Sequence, residues 1–128
     1  MRLDIYLRAD NAAAAIQFYV NELGFFTVAA DYGMDSYLLR GVYNSEICLQ
    51  ITNWHSVPDR MPRFALCVSS ADKEFKRLSE LKFASGGDLI RDEFGQAAVF
   101  EWPGGKNFMM KDPTGNCFLL VEDYIAPD

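Results

Sequence analysis

Apolar and polar residues alternate along residues 3–8, with Leu3, Ile5 and Leu7 on one side and Asp4, Tyr6 and Arg8 on the other. A period of two predicts a half-buried strand with one polar face. The period then changes. Over residues 11–23 (NAAAAIQFYVNEL), Ala12, Ala15, Ile16, Tyr19, Val20 and Leu23 fall on a single helical stripe, with Asp10 or Asn11 able to cap its start and Gly24 suited to its left-handed stop. Three short strands are expected next, near residues 25–30, 36–40 and 46–52, separated by the turn-like stretches 31–33 and 41–45.

A polar stretch with two prolines ends this run, and the pattern starts over. Residues 63–69 read as a strand with Phe64, Leu66 and Val68 on one side. Ser69 or Ser70 can cap the helix ADKEFKRLSELK, and strands follow near residues 89–94, 97–102 and 107–111. After the turn at residues 112–116 a last strand, residues 117–122, closes the sequence of elements. FYVNELGFF in the first half and FKRLSELKF in the second hold equivalent places, which reads as an internal duplication. The expectation is therefore one α+β domain over residues 1–128, made of two tandem βαβββ units (1–53 and 63–128) joined by a connector at 54–62. Each unit covers one face of its sheet with its helix, so the two curled mixed sheets would enclose a cavity on the other.

Composition narrows the function classes. In 128 residues with a formal charge of −6, there is no basic face for a nucleic acid, and neither a run of ~20 apolar residues nor a signal-peptide-like start. The expected setting is the cytoplasm, with no membrane or nucleic-acid partner. Cys48, Cys67 and Cys117 lie far apart inside apolar segments and read as reduced thiols. The sequence holds neither a CxxC pair nor a phosphate loop, and its single histidine, His55, falls in the connector and reads as a surface residue.

The segments AIQFYVNELGF, RFALCVSSADKEFKRLSEL and FMMKDPTGNCFLLVE resemble three characteristic stretches of the glyoxalase/bleomycin-resistance (vicinal oxygen chelate) superfamily, and together they span nearly the whole chain. The resemblance implies the fold above, usually as a homodimer with the first half of one chain facing the second half of its partner. In metal-dependent members four strand residues chelate a divalent ion. The matching positions here are Asp4, Gln50, Arg63 and Leu119. A guanidinium repels a cation and a leucine offers no donor, so neither metal nor any other cofactor is expected. The metal-free, bleomycin-resistance-like branch is a better match, and FEWPGGKNFMMKDPTG looks particularly like it.

Strand parity would direct Asp4, Tyr6, Arg8, Glu46, Cys48, Gln50, Arg63, Ala65 and Cys67 toward the cavity, with an Asp4–Arg63 ion pair one way of satisfying the two charges. The ligand-binding candidates are Asp4, Tyr6, Tyr37, Gln50, Trp54, Arg63, Phe100, Trp102, Phe108 and Met110. Trp102 leads them because an indole face combines large contact area with attraction for cations. The function expected is metal-independent binding, and so sequestration, of a cationic or aromatic antibiotic-like molecule. The alternative is a lyase or isomerase of the same fold, with Asp4 as base and Arg63 holding a small anionic substrate.

Overall fold

The computed structural model describes residues 1–53 and 62–127. Its elements run β1 (Arg2–Arg8), α1 (Ala12–Ile16, continued by a π-helix, Gln17–Glu22), β2 (Phe26–Gly33), β3 (Ser36–Gly41), β4 (Ile47–Thr52), β5 (Phe64–Cys67), α2 (Ala71–Ser79), β6 (Asp88–Leu89), β7 (Phe100–Trp102), β8 (Gly105–Lys111) and β9 (Cys117–Asp123). Among the described residues the strands form one mixed, unclosed sheet in the order β2-β3-β4-β1-β5-β9-β8-β6, and β7 also pairs with β8. The two units meet where β1 runs antiparallel to β5, with Asp4 opposite Ala65. Within each unit the first strand lies parallel to the last, β1 beside β4 and β5 beside β9.

Both helices lie on the same side of the sheet. Asn11 caps α1 by accepting from the Ala14 N–H, and Ser70 caps α2 by accepting from the Lys73 N–H. Helix α1 packs Ala12, Ala15, Ile16, Tyr19 and Val20 against Leu39, Leu49 and Ile51. Its π-helical continuation, marked by the Leu23 N–H donating five residues back to the Phe18 carbonyl, leaves Leu23 exposed. Leu23 is thus off the expected stripe, which assumed 3.6 residues per turn to the end. Helix α2 packs Leu78 and Phe75 against Leu89, Phe108, Met110 and Leu120.

Two more expectations fail for local reasons. The first hairpin turns at Met34 and Asp35, both left-handed with φ of 54° and 60°, instead of at residues 31–33. Irregular pairing between Val28 and Ala30 and between Asp31 and Gly33 lets β2 run on past the polar stretch. The strand expected at 89–94 stops at Leu89. Asp92 accepts from the Phe94 and Gln96 N–H groups and folds the chain into a tight turn before β7.

Candidate functional site

The side of the sheet away from the helices carries the even-numbered residues of β1, and their polarity is resolved by a buried ionic cluster. Arg2, with no exposed surface, donates from Nε to Asp4 Oδ1 at 2.8 Å and from one terminal nitrogen to Asp4 Oδ2 at 3.0 Å and Asp123 Oδ2 at 2.8 Å. Its other terminal nitrogen donates to the Ala126 carbonyl. Asp4 Oδ2 also accepts from Gln50 Nε2 at 3.2 Å and from the Cys67 thiol at 3.3 Å. Asp123 Oδ2 accepts from the Tyr32 hydroxyl at 2.6 Å, and its Oδ1 accepts from the Ile125 and Ala126 N–H groups. Burial works against the charge on Arg2, but hydrogen bonds to Asp4 and then Asp123 outweigh it and hold the proton more firmly than usual. Burial, followed by the neighbouring carboxylates, pushes Tyr6, Tyr32 and Cys67 upward as well. All three keep their protons.

Beside this cluster opens a cavity of about 320 Å³. Tyr6, Gln50 and Thr52 come to it from β1 and β4, and Tyr32, Met34 and Ser36 from the first hairpin. The second unit supplies Trp102, Asn107, Leu119, Val121 and Asp123. The Trp102 indole is held by close backbone: a Cβ on Gly104 would lie 2.5 Å from its Nε1. Trp102 stacks on Phe100 with ring centroids 6.3 Å apart and planes 12° from parallel, and Phe100 is 64% exposed.

Of the ten candidates, Tyr6, Gln50 and Trp102 line the cavity, Asp4 sits directly behind it, and Phe100 extends the aromatic surface of Trp102 outward. Phe108 and Met110 do not reach it. They alternate with Asn107 and Met109 along β8 and belong to the core beneath α2. Tyr37 likewise packs on the α1 side of the sheet. Arg63 is exposed just before β5, and Asp4 pairs with Arg2 in place of the Arg63 expected. Trp54 and His55 lie outside the described residues. Of the other side chains expected inward, Cys48 and Cys67 are buried, whereas Arg8 and Glu46 are exposed.

Arg2, Tyr32 and Asp123 were missed, each through a strand end read too short. Strand β1 begins one residue before Leu3, β9 ends one residue after Glu122, and Tyr32 belongs to β2 instead of a turn. Extending each alternation by a residue or two would have placed all three on the inner face.

Chelation of a divalent ion does not suit these residues. Both Asp4 oxygens are engaged by Arg2, Leu119 brings no donor, and among the described residues no three His, Cys, Asp or Glu side chains are placed so as to hold a metal ion together.

A family model described as Glyoxalase/Bleomycin resistance protein/Dioxygenase superfamily matches residues 3–120. The fold is shared with a Legionella pneumophila protein named NAD-dependent benzaldehyde dehydrogenase, at TM-score 0.66 and 13% identity over 94% of this chain and 98% of that one. It is shared also with a Vibrio splendidus 12B01 member of the glyoxalase/bleomycin resistance protein/dioxygenase superfamily, at TM-score 0.57 and 16% identity over 95% and 97% of the two chains. An uncharacterized Methanosarcina mazei protein matches at TM-score 0.57 and 21% identity, covering 96% of this chain and 92% of its own. A search of curated proteins finds no match.

Proposed function

Since the chain belongs to the Glyoxalase/Bleomycin resistance protein/Dioxygenase superfamily, we propose that it binds a small organic molecule without a metal and acts by sequestering it. The observation that carries this reading is the lining of the 320 Å³ cavity: Trp102, Tyr6 and Tyr32 supply aromatic surface, and the charged side chain among the lining residues is the carboxylate of Asp123. Asp123 is itself held by Arg2 and Tyr32, but the cluster of one arginine and two aspartates behind the aromatic faces keeps a net negative charge, which suits a flat or cationic group, and a volume of this order holds a drug fragment. Gln50, Thr52 and Asn107 add polar atoms that would orient it. Sequestration requires only stoichiometric binding, with no group poised for proton transfer.

Turnover by Asp4 and Arg63 has less support. Asp4 is 1% exposed, with its oxygens shared among Arg2, Gln50 and Cys67, so it lacks the free lone pair and the access a general base requires. Arg63 is exposed and does not appear in the cavity lining. The homodimer, with a second chain completing the site, rests on the family resemblance, and the cytoplasmic setting on the composition of the chain.

The test is a thermal-shift screen of EDTA-treated protein against bleomycin-type and other cationic aromatic antibiotics, followed by calorimetric titration of any that stabilise it. One ligand per chain is expected, with affinity reduced about tenfold or more in Trp102→Ala, a loss near 1.4 kcal/mol. If no such compound binds, or if Trp102→Ala binds as well as the parent, the reading fails.

A further inference from the structure

A second cavity, of about 310 Å³, lies on the same side of the sheet at the other end of the β8–β9 ladder. It adjoins the first: Met109 of the second cavity pairs in register with Leu119 of the first. Their lining chemistry differs. Ile90 and Met109 contribute apolar surface here, Leu89 reaches the hollow only through its backbone because its side chain packs beneath α2, and the polar lining comes from Asp88, Arg91, Lys111 and the partly exposed thiol of Cys117.

These charges divide into a neutral pair and a remainder. Asp88 accepts from Arg91 Nε at 3.1 Å and from its terminal nitrogen at 3.2 Å, and also from the Leu89 N–H at 2.8 Å. Arg91 donates further to the Gly95 carbonyl. Asp88 and Arg91 thus cancel and fix each other in place. Lys111 is directly opposite Cys117 on β9 and Asp88 on β6, and among the described residues no carboxylate forms an ion pair with its ammonium group. The exposed Arg63 joins the same end, its N–H donating to the Cys117 carbonyl at 3.0 Å. In a chain of net charge −6, an apolar hollow with a cationic rim is a local reversal of sign.

We propose that this hollow is a second binding site, distinct from the Trp102 cavity, for a small organic anion: a carboxylate or sulfonate on an apolar body, its acid group at Lys111 and its body against Met109 and Ile90. An apolar body alone would bind weakly in so open a hollow, and an inorganic anion alone would forgo the floor. The combination distinguishes the ligand class.

Two-dimensional amide NMR titration with sodium benzenesulfonate tests the assignment, with benzyl alcohol as the uncharged counterpart. Saturable shifts are expected at residues 88–91, 109–111 and 117 with the sulfonate and not with the alcohol. Lys111→Glu should raise the dissociation constant at least tenfold, and Lys111→Gln should fall between. Trp102→Ala should leave this titration unchanged even if it abolishes binding in the first cavity. The proposal is overturned if the sulfonate gives no saturable shift, if the alcohol matches it, if the shifts centre on Trp102, or if Lys111→Glu binds as tightly as the parent.

Discussion

At the scale of single residues, Arg2 sets the character of the inner face. Its guanidinium neutralises one of two buried carboxylates outright and bridges to the second, while its fourth contact ties down the Ala126 carbonyl. Replacing it by leucine would leave Asp4 and Asp123 uncompensated in a dry setting. A loss of about 3–5 kcal/mol is expected in urea unfolding, the usual result of removing one partner from a buried ion pair. A change below 1 kcal/mol would mean that water reaches the cluster. Gly104 acts on the site by its lack of a side chain. The Cβ of Gly104→Ala would meet the indole Nε1 at 2.5 Å, so the ring must swing from its position over the cavity. Weaker ligand binding and a shifted Trp102 emission maximum, with cooperative unfolding retained, are the expected outcome. Unchanged binding would show that the ligand does not read the indole's position.

At the scale of elements, most of the order was legible because each strand and helix follows the period its burial demands. Both helices follow from a stripe and a capping residue, with each N-cap, Asn11 and Ser70, one of the two neighbours that could serve; the parallel pairing of first and last strands in each unit came only with the structure. What escaped was decided by contacts remote in sequence or by side chains competing locally for the backbone. Asp92 ended a strand that hydrophobicity alone would have continued, and the π-helical turn displaced Leu23. Phe108 and Met110 were misplaced for another reason: their alternation with Asn107 and Met109 was visible, but which side faced the helix was not. For the caps, the Ser70 hydroxyl accepts from the Lys73 N–H at 3.2 Å at the start of α2. Ser70→Ala should therefore cost about 1 kcal/mol, measured as a shift of the urea midpoint with unchanged slope. Loss of two-state behaviour instead would mean that the cap also holds β5 to α2.

At the scale of the whole molecule, joining two units along β1 and β5 places Arg2, Asp4 and Gln50 of the first unit beside Cys67 and Asp123 of the second, so the ionic cluster is itself the seam. Asp4 comes from the first unit, Cys67 and Asp123 from the second, and Tyr32 from the far hairpin. This arrangement carries a pH dependence. Cys67 is pushed above its ordinary value of 9.0 by burial and then by Asp4, Cys48 moves the same way for the same leading reason, and Tyr6 and Tyr32 rise above 10.0. Each group is neutral while protonated, and the folded state holds its proton more tightly than the unfolded chain does. Their contribution to stability is therefore complete below the unfolded values and is lost as pH climbs from about 9 toward the folded ones. Unfolding free energy should be flat from pH 7 to 8.5 and then fall by up to about 1.4 kcal/mol per pH unit for each group engaged. Cys67→Ser, whose hydroxyl does not titrate in this range, should flatten the first part of the decline. If the parent protein proved as stable at pH 10 as at pH 8, the thiol and phenols would have to be far better solvated than their burial implies, and the seam would be open to water.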